Sequence, residues 1–264
     1  MVQVAVGQFA PGLDKADNSA RVRSLVDEAA GRGADVVVLP EYASFTAPRM
    51  DERFAAAAEP LDGPFAATLS ELASGHGVHV VAGFAEHADA GRIHNTLLAF
   101  GPSGEIEATY RKMHLYDAFG YRESDVVLPG PLDTPETFTS GAITFGLQTC
   151  YDVRFPEVTR RIVDAGATAL ALPAEWVPGP LKEDHWRTLV RARAIENTMY
   201  IAAAGQNGRH GAGNSMIIDP MGVTLASLGE QDGTALALLD PARLESVRRT
   251  NPALTLRRFT TTPR

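Results

Sequence analysis

Two short runs in this chain are apolar without alternation, Val36-Val37-Val38-Leu39 and Ala169–Leu172. A strand that is apolar on both faces must be covered on both faces, so each run predicts a strand in a sheet interior. Each is preceded by a glycine and followed by a proline and a glutamate: GADVVVLPE at Gly33–Glu41 and GATALALPAE at Gly166–Glu175. The echo reads as a weak internal duplication or as a chance match of common strand-ending residues.

The rest of the pattern fits around these strands. Gln3–Phe9 alternates as a first strand, and Asn18 is placed to cap a helix striped by Val22, Leu25, Val26 and Ala29. Phe65, Leu69, Leu72 and Ala73 stripe a second helix before a strand at Val78–Phe84. Thr96–Phe100 and Glu105–Tyr110 predict a hairpin, and the polar stretch Arg111–Pro131 is longer than an ordinary connection, which marks functional loops. Beyond it the pattern predicts helices near Glu157–Asp164, Glu183–Asn197 and Pro241–Arg249, and strands at Tyr200–Ala204, Ser215–Asp219, Val223–Ser227 and Ala235–Leu239. The fold class is therefore α/β, with mixed sheets covered by helices on one face and packed against each other on the other.

No Pro/Gly/Ser-rich linker or like-charge block divides the 264 residues, so residues 1–264 are expected to form one domain. The net charge of −8 is spread along the chain without a basic stripe, which argues against a nucleic-acid partner. A single cysteine allows no internal disulfide and fits a reducing compartment. The opening MVQVAVGQF lacks a basic n-region, and no apolar run approaches the ~20 residues of a membrane helix, so a cytoplasmic location away from membranes is expected.

The one cysteine lies in AITFGLQTCYDVRFPE, Ala142–Glu157. Ala142–Cys150 predicts a strand, and the pattern then breaks into a turn with Pro156 placed to open a helix. Strand, sharp turn and helix lift a nucleophile off the end of a sheet and leave backbone N–H groups, that of Tyr151 among them, to face an oxyanion. The competing reading is an inert buried thiol. A nucleophilic thiol needs a base. Of the seven histidines His114 is the best placed, and it reads as structural or substrate-side. Glu41, at the exit of a buried strand, sits at the edge of a dry core, which suits a group that takes and returns a proton; a solvated loop acid is the alternative. Lys112 opens the long polar loop, where it would favour a thiolate or steady an oxyanion, or simply be solvated. Asp152 and Arg154 are expected to pair and hold the turn. Tyr42, Trp176 and Phe119 are candidates to line a pocket, with burial in the core as the competing reading. Glu175 receives no role.

Together VVVLPE, YRKMHL and CYDVRFPE, in that order, resemble the nitrilase superfamily of carbon–nitrogen hydrolases. The resemblance spans nearly the whole chain, through ESxxxLPG at Glu123–Gly130, HWxxLxRARAIEN at His185–Asn197 and GNSMIIDPMG at Gly213–Gly222. It implies a four-layer α-β-β-α sandwich, a Glu41-Lys112-Cys150 triad with Glu123 beside it, no metal or organic cofactor, and a homodimer or higher homo-oligomer. The tail 250–264 is expected to dock on the partner subunit. The Cys-Tyr-Asp-x-Arg-Phe-Pro-Glu form looks like the amidase branch that includes omega-amidases, so the expected substrate is a small linear amide, either the omega-amide of a keto acid or a short-chain aliphatic amide. Nitrilase or N-carbamoyl hydrolase activity is the alternative, with a silent interaction module or a thiol redox sensor as readings from other classes. A distal substrate carboxylate would need a cation, for which Arg122, Lys182, Arg154 and Arg187 are candidates.

Overall fold

In the computed structural model, which describes residues 1–263, the opening alternation is strand β1 (Val2–Gln8), followed by helix α1 (Lys15–Gly31). Asp14, not Asn18, caps α1, accepting the N–H groups of Ala16 and Asp17 at 2.8 and 3.1 Å. Asn18 lies one turn inside the helix and is buried. Its amide donates to the carbonyls of Gly12 and Ser44, both at 2.9 Å, which ties α1 to the loop that carries Glu41.

The apolar run is β2 (Val36–Val38). A short helix α2 (Glu52–Ala57), not expected from the pattern, and α3 (Pro64–His76) lead to β3 (His79–His87), and β4 (Ile93–Phe100) pairs with β5 (Ile106–Arg111) as the expected hairpin. The second half repeats the plan. An unforeseen edge strand β6 (Thr137–Ser140) precedes β7 (Ile143–Leu147), α4 (Pro156–Asp164), β8 (Ala169–Ala174), α5 (Lys182–Asn197) and β9 (Tyr200–Gly205). The chain ends in β10 (Met216–Ile218), β11 (Thr224–Ser227), β12 (Gly233–Leu239) and α6 (Pro241–Thr250). No helix among the described residues is long and apolar enough to cross a membrane.

The strands form two six-stranded sheets, ordered β12-β1-β2-β3-β4-β5 and β11-β10-β9-β8-β7-β6. In each, three consecutive strands are parallel, β1-β2-β3 and β7-β8-β9, so their crossover helices must cover one face. Alternation within β2 displays the result: Val36 and Val38 face the other sheet with Val4, Phe145, Ala171 and Ala202, whereas Val37 packs under α1 and α3 with Val26 and Leu69. Leu170, Leu172 and Ile201 do the same under α4 and α5 with Ile162 and Val190. The layers are α-β-β-α. The two echoed segments occupy matching places, since β2 and β8 are each the middle strand of a parallel triplet.

The tail lies along its own chain: Leu254 packs against the α4/α5 layer and Arg257 pairs with Asp164. Leu256 and Phe259 are exposed.

Candidate active site

The parallel strands of both sheets converge at one end, the edge at which α/β folds place their ligands. Glu41 leaves β2, Lys112 leaves β5, Cys150 follows β7 and Glu175 follows β8. All four line one cavity of about 270 Å³, together with Tyr42, Glu123, Tyr151 and Trp176.

Glu41 is fully buried, and every atom it presents has a donor. Oε1 accepts from Asn95 Nδ2 at 2.6 Å and Lys112 Nζ at 3.1 Å, and Oε2 accepts from the Glu175 backbone N–H at 2.5 Å. Gln206, just beyond β9 in the opposite sheet, holds the Glu41 carbonyl at 2.8 Å. Behind the loop, Gly83 on β3 leaves no room: a Cβ there would lie 2.8 Å from Glu41 Cα. Gly83→Ala is therefore expected to cost about 1–3 kcal/mol of stability by overpacking and to lower activity with it. Denaturant unfolding checks this, and an unchanged midpoint would mean that the Glu41 strand has slack.

Lys112 is 3% exposed and bridges two acids, Glu41 and Glu123, whose Oε2 is 2.9 Å away. Burial works against its charge, but Glu123 and Glu41 outweigh burial and hold the ammonium well above its usual range. Glu123 is itself fixed by the Tyr116 N–H at 2.6 Å and by the Tyr42 hydroxyl at 3.4 Å. Tyr42 is buried edge-on against Phe54, so it serves both the core and the cavity wall.

The strand expected to run to Cys150 ends at Leu147. Gln148 and Thr149 follow it, and Cys150 opens a 3-10 turn to Arg154. Cys150 takes φ 42°, a left-handed conformation costing a non-glycine residue about 1–3 kcal/mol, which the surrounding packing must sustain. Its Sγ donates to the Glu175 carbonyl at 3.5 Å. Burial pushes the thiol well above its ordinary range, Glu41 adds to this, and Lys112 does not offset them. Lys112 pulls toward the thiolate, as expected from the sequence, but burial and Glu41 outweigh it. The thiolate absorbance difference between wild type and Cys150→Ala should stay flat through neutral pH and rise only in the alkaline range. A rise below neutrality would contradict a protonated resting thiol.

The expected Asp152–Arg154 pair does not form. Asp152 is buried and accepts from the Tyr110 hydroxyl at 2.6 Å and from the backbone N–H of His114 at 2.9 Å, with His114 Nδ1 at 2.8 Å. These bonds lock the cysteine turn to the segment carrying Lys112, which gives His114 a structural place. Arg154 instead lies over Trp176, 4.9 Å from the ring. Phe119 is 67% exposed and does not line the cavity; it covers the outer side of Lys182, 4.6 Å from its ammonium. Trp176 is buried and does line it, donating to the Lys182 carbonyl at 2.6 Å.

Of the four candidate cations, Lys182 alone lines the cavity. Its Nζ bonds Tyr116 at 2.7 Å, and burial lowers its proton affinity. Arg122 points to Asp125 at 3.6 Å, and Arg187 bonds Asn214. Sequence reasoning missed Asn95, Tyr116, Arg49, Arg209 and His210, of which all but Asn95 line the cavity. Nothing in their local pattern distinguishes them, because Arg49, Tyr116 and the neighbours Arg209 and His210 arrive from three different loops and Asn95 from the interior of a strand.

A four-layer α-β-β-α sandwich whose strand ends bring a glutamate, a lysine and a cysteine into one cavity defines a class. This chain belongs to the carbon–nitrogen hydrolase family, whose model matches residues 3–249, and so to the nitrilase superfamily of enzymes hydrolysing carbon–nitrogen bonds. Within it the similarity is to amidases. The chain is 39% identical to the deaminated glutathione amidase of Escherichia coli O157:H7 over 97% of both chains. It is 37% identical to the protein of that name from Synechocystis, over 92% of this chain and 93% of the other. Among solved structures, Saccharomyces cerevisiae Nit3, a member of branch 10 of the nitrilase superfamily, superposes with a TM-score of 0.85 at 28% identity, covering 98% of this chain and 97% of that one.

Proposed function

We propose that this protein hydrolyses a small linear amide through a thioester on Cys150, with Glu41 as proton carrier and Lys112 as oxyanion donor. The observation carrying this reading is that Glu41 and Lys112, 3.1 Å apart and both buried, share one cavity wall with Cys150. Glu41 takes the thiol proton as Sγ attacks the amide carbon. Lys112 and the Tyr151 N–H donate to the developing oxyanion. Glu41 returns the proton to the departing nitrogen, the C–N bond breaks, and an acyl thioester remains. Water then attacks the thioester, giving its proton to Glu41, which passes it to the leaving sulfur. Amide and water become acid and amine, and the thiol is restored. Glu123 orients Lys112. Burial and Glu41 push the Cys150 thiol up, which supports this sequence over a redox-sensor role that needs a ready thiolate.

The substrate reading is an omega-amide, an amide whose acyl chain ends in a carboxylate. Lys182 in the wall, with Arg49 and Arg209 also lining the cavity, supplies the positive field for that carboxylate. Deaminated glutathione, the compound in the relatives' name, is such an amide. The test is hydrolysis of 2-oxoglutaramate, deaminated glutathione, propionamide, N-carbamoyl-β-alanine and a simple nitrile. A preference for the first two is expected, and turnover of the carbamoyl compound or nitrile alone would overturn the amidase reading of the site. The reading includes a cytoplasmic homodimer whose tail 250–264 meets the partner, for which the exposed Leu256 and Phe259 offer apolar contact. Sedimentation of the chain with and without that tail tests it.

A further inference from the structure

Glu175 is bound on both sides of its backbone by the reacting groups. Its N–H donates to Glu41 Oε2 at 2.5 Å, and its carbonyl accepts from Cys150 Sγ at 3.5 Å. Its position relative to the nucleophile is thereby fixed, and its side chain lines the cavity. The other two acids there, Glu41 and Glu123, are both bonded to Lys112, whereas the Glu175 carboxyl makes no hydrogen bond or ion pair within the described chain. Glu175 is half-buried at the cavity wall, and its carboxyl is left free to bond what enters. Its partner is therefore sought in what enters the cavity.

We propose that the Glu175 side chain is a specificity-determining group, hydrogen-bonding an electronegative oxygen, keto or carboxylate, on the acyl part of the substrate. This deepens the amidase reading and rests on it. Lys112 bonds Glu41 and Glu123 directly but not Glu175. Burial raises the Glu175 carboxyl well above the usual carboxylate range, and Glu41 and Glu123 push it further against the opposing pull of Lys112. A neutral carboxylic acid presents an O–H donor to an acceptor oxygen, where a carboxylate would repel it. The same group gives an unsubstituted aliphatic amide nothing to bond, so it separates the two substrate classes.

The experiment compares kcat/KM for 2-oxoglutaramate and propionamide in wild type, Glu175→Leu and Glu175→Gln. The ratio between the two substrates is expected to fall by roughly 10- to 100-fold in Glu175→Leu, the effect of one substrate hydrogen bond to a charged or polarised oxygen. Glu175→Gln keeps an N–H donor and should hold the ratio within about threefold. An unchanged ratio in Glu175→Leu, or parallel loss of both substrates in both variants, would overturn the proposal in favour of a purely structural residue. Glu175→Gln falling as far as Glu175→Leu would overturn the donor assignment. Failure of the amidase reading is separately visible as no Cys150-dependent turnover in wild type. Binding then decides: in Cys150→Ala protein, adding Glu175→Leu should weaken 2-oxoglutarate at least tenfold more than butyrate, and equal weakening would refute the role.

Discussion

Glu41→Gln is expected to lower kcat/KM for amide hydrolysis on the order of 10³-fold, the scale of a lost general acid–base group. The geometry also makes this substitution a poor isostere. Both Glu41 oxygens receive donors only, from Asn95, Lys112 and the Glu175 N–H. A glutamine must turn its NH₂ toward one of them and leave two donors facing each other. That costs about 1–3 kcal/mol of stability besides the chemistry. Steady-state kinetics with a parallel denaturant melt separates the two losses. Less than tenfold loss in a folded variant would place the base elsewhere in the cavity.

Lys112→Met should be the more damaging change, because the lysine has two roles. It is the oxyanion donor in the proposed reaction, where losing one donor costs about 10²–10³-fold. It is also the cation between the buried Glu41 and Glu123, with Nζ 3.1 Å from one and 2.9 Å from the other. Removing one member of a buried charged cluster costs about 3–5 kcal/mol. The expected result is a variant with a clearly lowered unfolding midpoint and amide turnover reduced at least 10³-fold. Full stability with lost activity would mean that the acids do not depend on Lys112.

Much of this arrangement is legible in the chain because the fold buries its parallel strands on both faces. Such strands read as unbroken apolar runs, and whatever follows them falls at the ligand-binding edge. Glu41 and Glu175 stand out for that reason, and Cys150 for the turn that follows it. What is not legible depends on a direction that local pattern does not encode. Asn18 has the chemistry of a cap, but Asp14 sits where the helix begins and Asn18 turns inward to Gly12 and Ser44. Asp152 and Arg154 are close enough in sequence to pair, but Tyr110 and His114 reach Asp152 first from β5 and the segment beyond it. Asn95 looks like any polar residue of a hairpin strand until β4 is seen to aim it at Glu41. Gln148 continues the alternation and so lengthens the predicted strand, but β7 stops at Leu147 and two residues lead into the turn at Cys150.

In the proposed reaction, amide hydrolysis passes through an acyl group on Cys150. Intact-mass measurement of enzyme mixed with 2-oxoglutaramate or propionamide and acid-quenched during turnover tests it most directly. Wild type should carry the added acyl mass on the peptide containing Cys150, and Cys150→Ala should carry none and release no ammonia above background. Continued amide turnover by Cys150→Ala, with no acyl mass on wild type, would contradict the account.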